Sequence, residues 1–225
     1  MAAASGQSQG WRQFDAGGVY YTQKRCSVKI APGVDAVDWQ NLDLSTSQSA
    51  DWERGISIFD QRIRGRFTDV VDSLINEDEG RAPQDRRFGF VILAIDCMLL
   101  ETLEAFSQGL TDTRKKSKEL CTGFLTTRPA FKAFFGDDLA TRFYCEFRCG
   151  VVHNAQVFGT GRVWSVGPLV ELDGSRITIN RTAFHRALMQ ELDAYLGALR
   201  DPSATDLRTK FRTKMNFIAE GKFQR

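Results

Sequence analysis

The chain has 225 residues, of which 42% are hydrophobic and 26% charged, 17 Phe among them, and its formal net charge is +2. That length suits one domain with a sizeable, aromatic-rich core and leaves too little for two large ones. The small net charge excludes a global polyanion-binding field, so any contact with nucleic acid has to come from local clusters; the longest apolar run, Phe90–Leu100, is interrupted by Asp96 and ends at Glu101, well short of the roughly 20 residues that cross a bilayer.

The first ten residues, MAAASGQSQG, are small and polar and are expected to be disordered. VYYTQKRCSVKIAPG, 19–33, reads as extended and ends on a Pro-Gly turn, so 1–48 is expected to form an N-terminal arm, partly disordered or extended. From 49 to 76, Trp52, Ile56, Phe59, Ile63, Phe67, Val70 and Leu74 recur at steps of three and four, with Asp51 and Glu53 in the first turn. This predicts one long amphipathic helix. The next segment, 86–108, is apolar nearly all round and ends at Gln108-Gly109, which predicts a central helix covered on several sides.

A basic loop follows, with Arg114, Lys115, Lys116 and Lys118, then two short helices at 117–126 and 129–135. Residues 137–157 read as an amphipathic helix with Phe143, Phe147 and Val151 on its buried stripe. Over 162–180 the period changes to alternation, and Asp173-Gly174 sits where a two-residue hairpin turn belongs. Asn180 is placed to cap a helix over 181–199 that turns Phe184, Leu188, Leu192, Tyr195 and Leu199 inward and Glu191 outward. After Pro202, residues 201–225 predict a basic C-terminal helix or tail. The fold class is mainly α: a helical bundle over 49–200 with an inserted β-hairpin at about 162–180.

Five cysteines, Cys26, Cys97, Cys121, Cys145 and Cys149, are odd in number and scattered, and no basic-then-apolar leader opens the chain. Both features predict a reducing, cytoplasmic setting. Basic residues gather at Arg62, Arg64 and Arg66, in the 114–118 loop, and from Arg200 onward, where seven Lys/Arg, Lys210, Arg212 and Lys214 among them, outweigh three acids. Each cluster could follow a phosphate backbone, and each also fits a solvated helix face.

The stretch FYCEFRCGVVHNAQVFGTG, 143–161, concentrates the chemistry. Cys145, Cys149 and His153 form an i, i+4, i+8 ladder, but its ends lie about 12 Å apart along a helix axis, too far for one tetrahedral zinc. No metal is expected. Cys149 could meet His153 as a thiol–imidazole pair, although nothing near it in sequence orients the base. Gly159-x-Gly161 lacks the flanking strand and Lys-Ser/Thr of a phosphate loop and reads as a turn. Arg148 and His153 are spaced by five residues, about 140° apart on a straight helix, so they share a site only if the helix end deforms or a second subunit completes it. Asp96 or Glu101 on the central helix is the expected carboxylate partner of Arg148, because a charge in that apolar segment needs one. Asn154 could hold a phosphate or cap the helix end. His185 reads as a core or surface residue.

RCGVVH, 148–153, on its amphipathic helix resembles the Arg-x4–6-His motif of the HEPN superfamily, compact helical bundles that are often metal-independent RNases of toxin–antitoxin and anti-phage defence systems. The resemblance covers the bundle, roughly 50–200, with the six-residue motif as its specific part. It implies a homodimer in which two motifs face each other, with no cofactor. Arg148 and His153 are then the catalytic pair, with Asn154, Cys149, Asp96 and Glu101 supporting, and Arg114, Lys115, Lys116, Lys118, Lys210, Arg212 and Lys214 holding RNA. Metal-free cleavage of RNA needs a base at the 2′-hydroxyl, an acid at the leaving oxygen and a cation on the phosphorane; Arg and His supply these. Two departures stand out: Cys149 follows the Arg where active members usually place Asn, Asp or His, and Ala155 stands where toxins paired with a nucleotidyltransferase antitoxin carry Tyr.

The leading expectation is therefore a metal-independent endoribonuclease that leaves 2′,3′-cyclic phosphate, with RNA and an antitoxin or defence-complex partner. The alternative is a non-catalytic bundle of the same type, serving as a dimerisation scaffold or a nucleotide-sensing module.

Overall fold

The structure is a computed structural model that describes residues 28–221. Cys26, Lys222 and Arg225, the first ten residues and the rest of the arm up to residue 27 lie outside the described residues. The described part of the arm forms β1 (Lys29–Ala31), β2 (Val34–Asp35) and a short helix α1 (Ala36–Gln40). Ile30, Ala31, Val34, Ala36 and Trp39 are all buried, so this segment belongs to the core.

The segment predicted as one helix over 49–76 is α2 (Asp51–Ile63), a π turn (Arg64–Thr68) and α3 (Asp69–Glu79). The π turn adds one residue to the helical register. Its effect is visible in the burial: Trp52, Ile56, Phe59 and Ile63 face inward as expected, but Thr68 at the end of the turn and Val71 and Ile75 beyond it are buried and Val70 is 50% exposed. The apolar repeat at Phe67, Val70 and Leu74 therefore points one residue away from the true inner face. Within the turn, Gly65 lets Pro32 approach, since a Cβ there would stand 3.0 Å from the proline ring.

Helix α4 (Gly89–Gln108) is the central element, packed against α3, α5 (Ser117–Thr127), α8 (Cys149–Asn154), α9 (Arg181–Arg200) and α10 (Thr205–Glu220). It ends at Gly109, whose φ of 69° is the left-handed C-cap that glycine favours. Short α6 (Pro129–Lys132) and α7 (Asp137–Phe143) follow α5, and a second π turn (Tyr144–Arg148) joins α7 to α8. Phe143, Phe147 and Val151 are buried on one stripe, as predicted, and Phe143 stacks between Phe147 and Phe184 at 5.5 and 5.2 Å.

The predicted hairpin is β4 (Val170–Asp173) and β5 (Arg176–Asn180); Asp173 still pairs with Arg176, so the two-residue turn is Gly174-Ser175, one residue later than expected, with Gly174 at φ 56°. A third strand, β3 (Arg162–Trp164), pairs with β5 in parallel, giving the order β3-β5-β4. Asn180 caps α9 through Oδ1, which accepts the N–H groups of Thr182 and Ala183, and its side-chain amide donates to Gly167 O at 2.6 Å.

Glu191, expected on the outside of α9, is buried instead, and its carboxylate accepts the Ala130 N–H at 2.6 Å at the start of α6. An orphan helix N-terminal donor explains the acid's inward position. The basic segment after Pro202 becomes α10, whose Phe211, Met215 and Ala219 are buried. Phe211 meets Trp39, Phe59 and Phe106, and burial of such a side chain contributes roughly 1.5–3 kcal/mol. Among the described residues no helix is long and apolar enough to cross a membrane.

Candidate functional site

Glu101 and Arg148 meet where α4 passes the second π turn. Arg148 Nε donates to Glu101 Oε1 at 2.6 Å and Nη2 to Oε2 at 3.2 Å, a two-point fork with both side chains about 15% exposed. Ser117, the first residue of α5, donates its hydroxyl to Glu101 Oε1 at 2.8 Å. Burial disfavours the Arg148 charge, and the Glu101 carboxylate more than reverses that, holding the guanidinium pKa above its ordinary value. Tyr144, one turn before Arg148, lies under the guanidinium at 5.8 Å. Its phenol is raised by burial, with an opposing hydrogen bond to Ser117 and a reinforcing one to Cys149.

His153 stands exposed at the end of α8, and Arg148 Nη1 lies 3.1 Å from its Nε2. Arginine carries only donors, so this contact is a hydrogen bond when Nε2 presents its lone pair and the imidazole is neutral. Arg148 and His153 thus share a site within one protomer, without a second subunit. The flexible arginine stem closes the gap that the 140° offset opens. Beyond His153 the helix closes at Ala155, in the left-handed region at φ 52°, and the chain doubles back. Gln156 N–H donates to Gly150 O and Phe158 N–H to Glu146 O at 2.9 Å. Gly150 permits this return, because a Cβ there would stand 2.3 Å from the Gln156 carbonyl oxygen.

The other expected residues fall into place around this centre or away from it. Cys149 is half-buried against Tyr144, and Asn154 is exposed beside His153. Asp96, the second acid expected near Arg148, is elsewhere: fully buried, it lies 2.7 Å from His185 Nδ1, and the other ring nitrogen lies 3.4 Å from Asp72. His185, which the sequence left as either a core or a surface residue, is buried. Among the described residues, no three His, Cys, Asp or Glu side chains gather as a metal-binding group. Gly159, at φ 60°, is in a turn.

The basic residues divide. Arg114 grips Asp112 through contacts of 2.7–3.1 Å, Lys116 is 4.0 Å from Glu119, and Lys210 pairs with Asp206 at 2.6 Å. Arg212 donates to the Leu44 carbonyl at 2.8 Å, which ties α10 to the arm. Lys115 and Lys118 are exposed in or beside the loop that leads into Ser117, and Lys214 is half-buried near Glu101. Sequence reasoning missed Ser117 and Tyr144. Tyr144 had a signal in its i, i+4 spacing from Arg148; Ser117 had none, because its contact with Glu101 is made between helices.

Compared with models of known protein families, with curated proteins and with solved structures, the chain matches none.

Proposed function

We propose that the chain is a metal-independent endoribonuclease of HEPN type in a toxin or defence role, acting as a homodimer on RNA. One observation carries the reading: the Arg and His of the RCGVVH motif meet at 3.1 Å on an exposed helix end, with Glu101 fixing the Arg from behind. Of the five N–H donors of a guanidinium, the bonds to Glu101 and His153 use three, leaving two for a phosphate. In the reaction Arg148 Nη1 turns from His153 to the phosphate, and the freed His153 Nε2 takes the proton of a ribose 2′-hydroxyl as the 2′-oxygen forms a bond to phosphorus. The bond to the 5′-oxygen breaks, and that oxygen receives a proton from the protonated His153 of the second copy. Arg148 carries the charge of the phosphorane. The products are a 2′,3′-cyclic phosphate and a 5′-hydroxyl.

The mostly buried two-point fork of Arg148 on Glu101 favours a second reading, in which the motif staples two helices of a non-catalytic scaffold or nucleotide-sensing module. One assay separates the two: labelled RNA in EDTA with wild type, Arg148→Ala and His153→Ala, and analysis of the product ends. Cleavage by wild type to cyclic phosphate, lost in both variants, supports the nuclease. Intact RNA with wild type, or variants that cut equally well, supports the staple.

A further inference from the structure

Glu101 borders more than Arg148. A cavity of about 240 Å³ opens between α4, the loop 109–116, α5 and α10, and Glu101 is part of its wall. Met98, Ala105 and Leu120 make an apolar side, and Thr102 and Thr113 add hydroxyls. Thr102 donates to the Met98 carbonyl at 2.8 Å, so its oxygen lone pairs remain open to a ligand donor. Met98 is 39% exposed, an unbranched and polarisable side chain at the mouth of a pocket.

The cation of this cavity is Lys214 on α10. It is half-buried, and its ammonium lies 5.8 Å from the centre of the Phe217 ring. Among the described residues no carboxylate forms an ion pair with it. Asp112, whose charge acts on it, is already held by the three contacts of Arg114. Burial lowers the Lys214 pKa, the mark of a partly desolvated charge without a full partner. An anion arriving at the cavity would supply one.

We propose that this cavity holds the nucleotide next to the scissile bond of an RNA, with its base between Met98 and Leu120 and its phosphate on Lys214. The assignment rests on the nuclease reading of Arg148 and His153, to which the cavity is joined through the shared Glu101. Its volume lies just under the ~300–1,000 Å³ of sites for drug-sized ligands, which suits one base with its sugar and excludes a longer stretch. Thr102, its proton held by the Met98 carbonyl, accepts from an amino edge, and Thr113 can serve either an amino or a carbonyl edge, so sequence choice is weak.

The test is titration of uridine 3′-monophosphate into the full-length protein, beside inorganic phosphate and uridine, with wild type, Lys214→Gln and Met98→Glu. Melting temperatures confirm that the variants fold. The nucleotide should bind more tightly than phosphate or uridine, weakened at least fivefold by Lys214→Gln and at least tenfold by Met98→Glu. Equal affinity for phosphate and nucleotide, affinity unchanged in both variants, or no binding to wild type overturns the proposal. The RNA assay then separates the two readings. RNA cut in an Arg148-dependent way with a flat titration removes the cavity assignment alone. Lys214-dependent nucleotide binding with no RNA cleavage leaves a nucleotide site and removes the nuclease.

Discussion

Asp96 and Glu101 stand on the same helix, α4, and each engages a base from another helix, yet the two sites differ in kind. Asp96 and His185 are 0% and 1% exposed, and the nearby Asp72 closes the pair from α3. Glu101 and Arg148 are partly open, and the Arg carries His153 out to solvent. Five residues on a helix turn the two acids about 140° apart, so one faces the interior of the bundle and the other its edge. The inner pair has no route to a substrate and ties α3, α4 and α9 together. The outer set keeps two arginine donors and an exposed imidazole within reach of solvent. The two histidines are therefore set apart by their partners, a carboxylate for His185 and a guanidinium for His153, and by how much water stays with each.

Exchanging the roles of the two histidines is the strongest test of that contrast. On the nuclease reading proposed above, His153→Ala should lower RNA cleavage about 10²–10⁴-fold with the melting temperature unchanged, as kinetics and calorimetry on one preparation would read. His185→Ala should do the reverse: removal of one partner from a buried pair costs about 3–5 kcal/mol, measured by denaturant unfolding, while activity per folded molecule persists. If His185→Ala abolishes cleavage in a fully folded protein, the inner pair is not merely structural.

Gly150→Ala probes what holds the outer site in shape. Its Cβ would meet the Gln156 backbone at 2.3 Å, and overpacking of this kind costs about 1–3 kcal/mol. Because the same backbone return follows His153, cleavage should fall more than stability does. A variant as active and stable as wild type would show that the return after Ala155 is not needed.

The smallest expected effect is that of pH. Burial works against charge on His185, and the hydrogen bond and charge of Asp96, with Asp72, outweigh it, so its pKa is raised. Burial also pushes the Asp96 carboxyl up, and both directions mean that the pair holds its shared proton more tightly when folded. A raised folded-state pKa gives stability that is complete below the unfolded histidine value, ~6.5, and is lost as pH rises through the folded one. The slope for one proton is at most about 1.4 kcal/mol per pH unit. The melting temperature of wild type should therefore drop from pH 6 towards pH 9, and that of His185→Gln should stay flatter over the same range.

Much of the local structure was legible in the chain. Gly109 ends α4 and Asn180 starts α9 because each meets a need of its own helix terminus. The glycine of the Asp173-Gly174 pair marks the hairpin for the same local reason, although the turn itself is Gly174-Ser175. Other features were not legible. The apolar repeat through Val70 is good helical spacing, and only the π turn before it moves the inner face to Val71. Glu191 reads as an outward charge until α6 brings the Ala130 N–H to it. The parallel pairing of β3 leaves no mark in so short a strand.

The candidate site shows the same division. The sequence by itself determined that Arg148 and His153 lie near one helix end, that an acid of the apolar helix would answer the Arg, and that the body around them is a helical bundle. Hydrogen bonds between residues three to five apart and the spacing of apolar side chains suffice for that. Only the tertiary structure decided that Glu101 and not Asp96 takes Arg148, that Ser117 and Tyr144 join them, and that Arg148 reaches His153 within one chain. Those choices depend on the rotation of whole helices about α4, which is set by packing across the core and by single-residue shifts at the π turns.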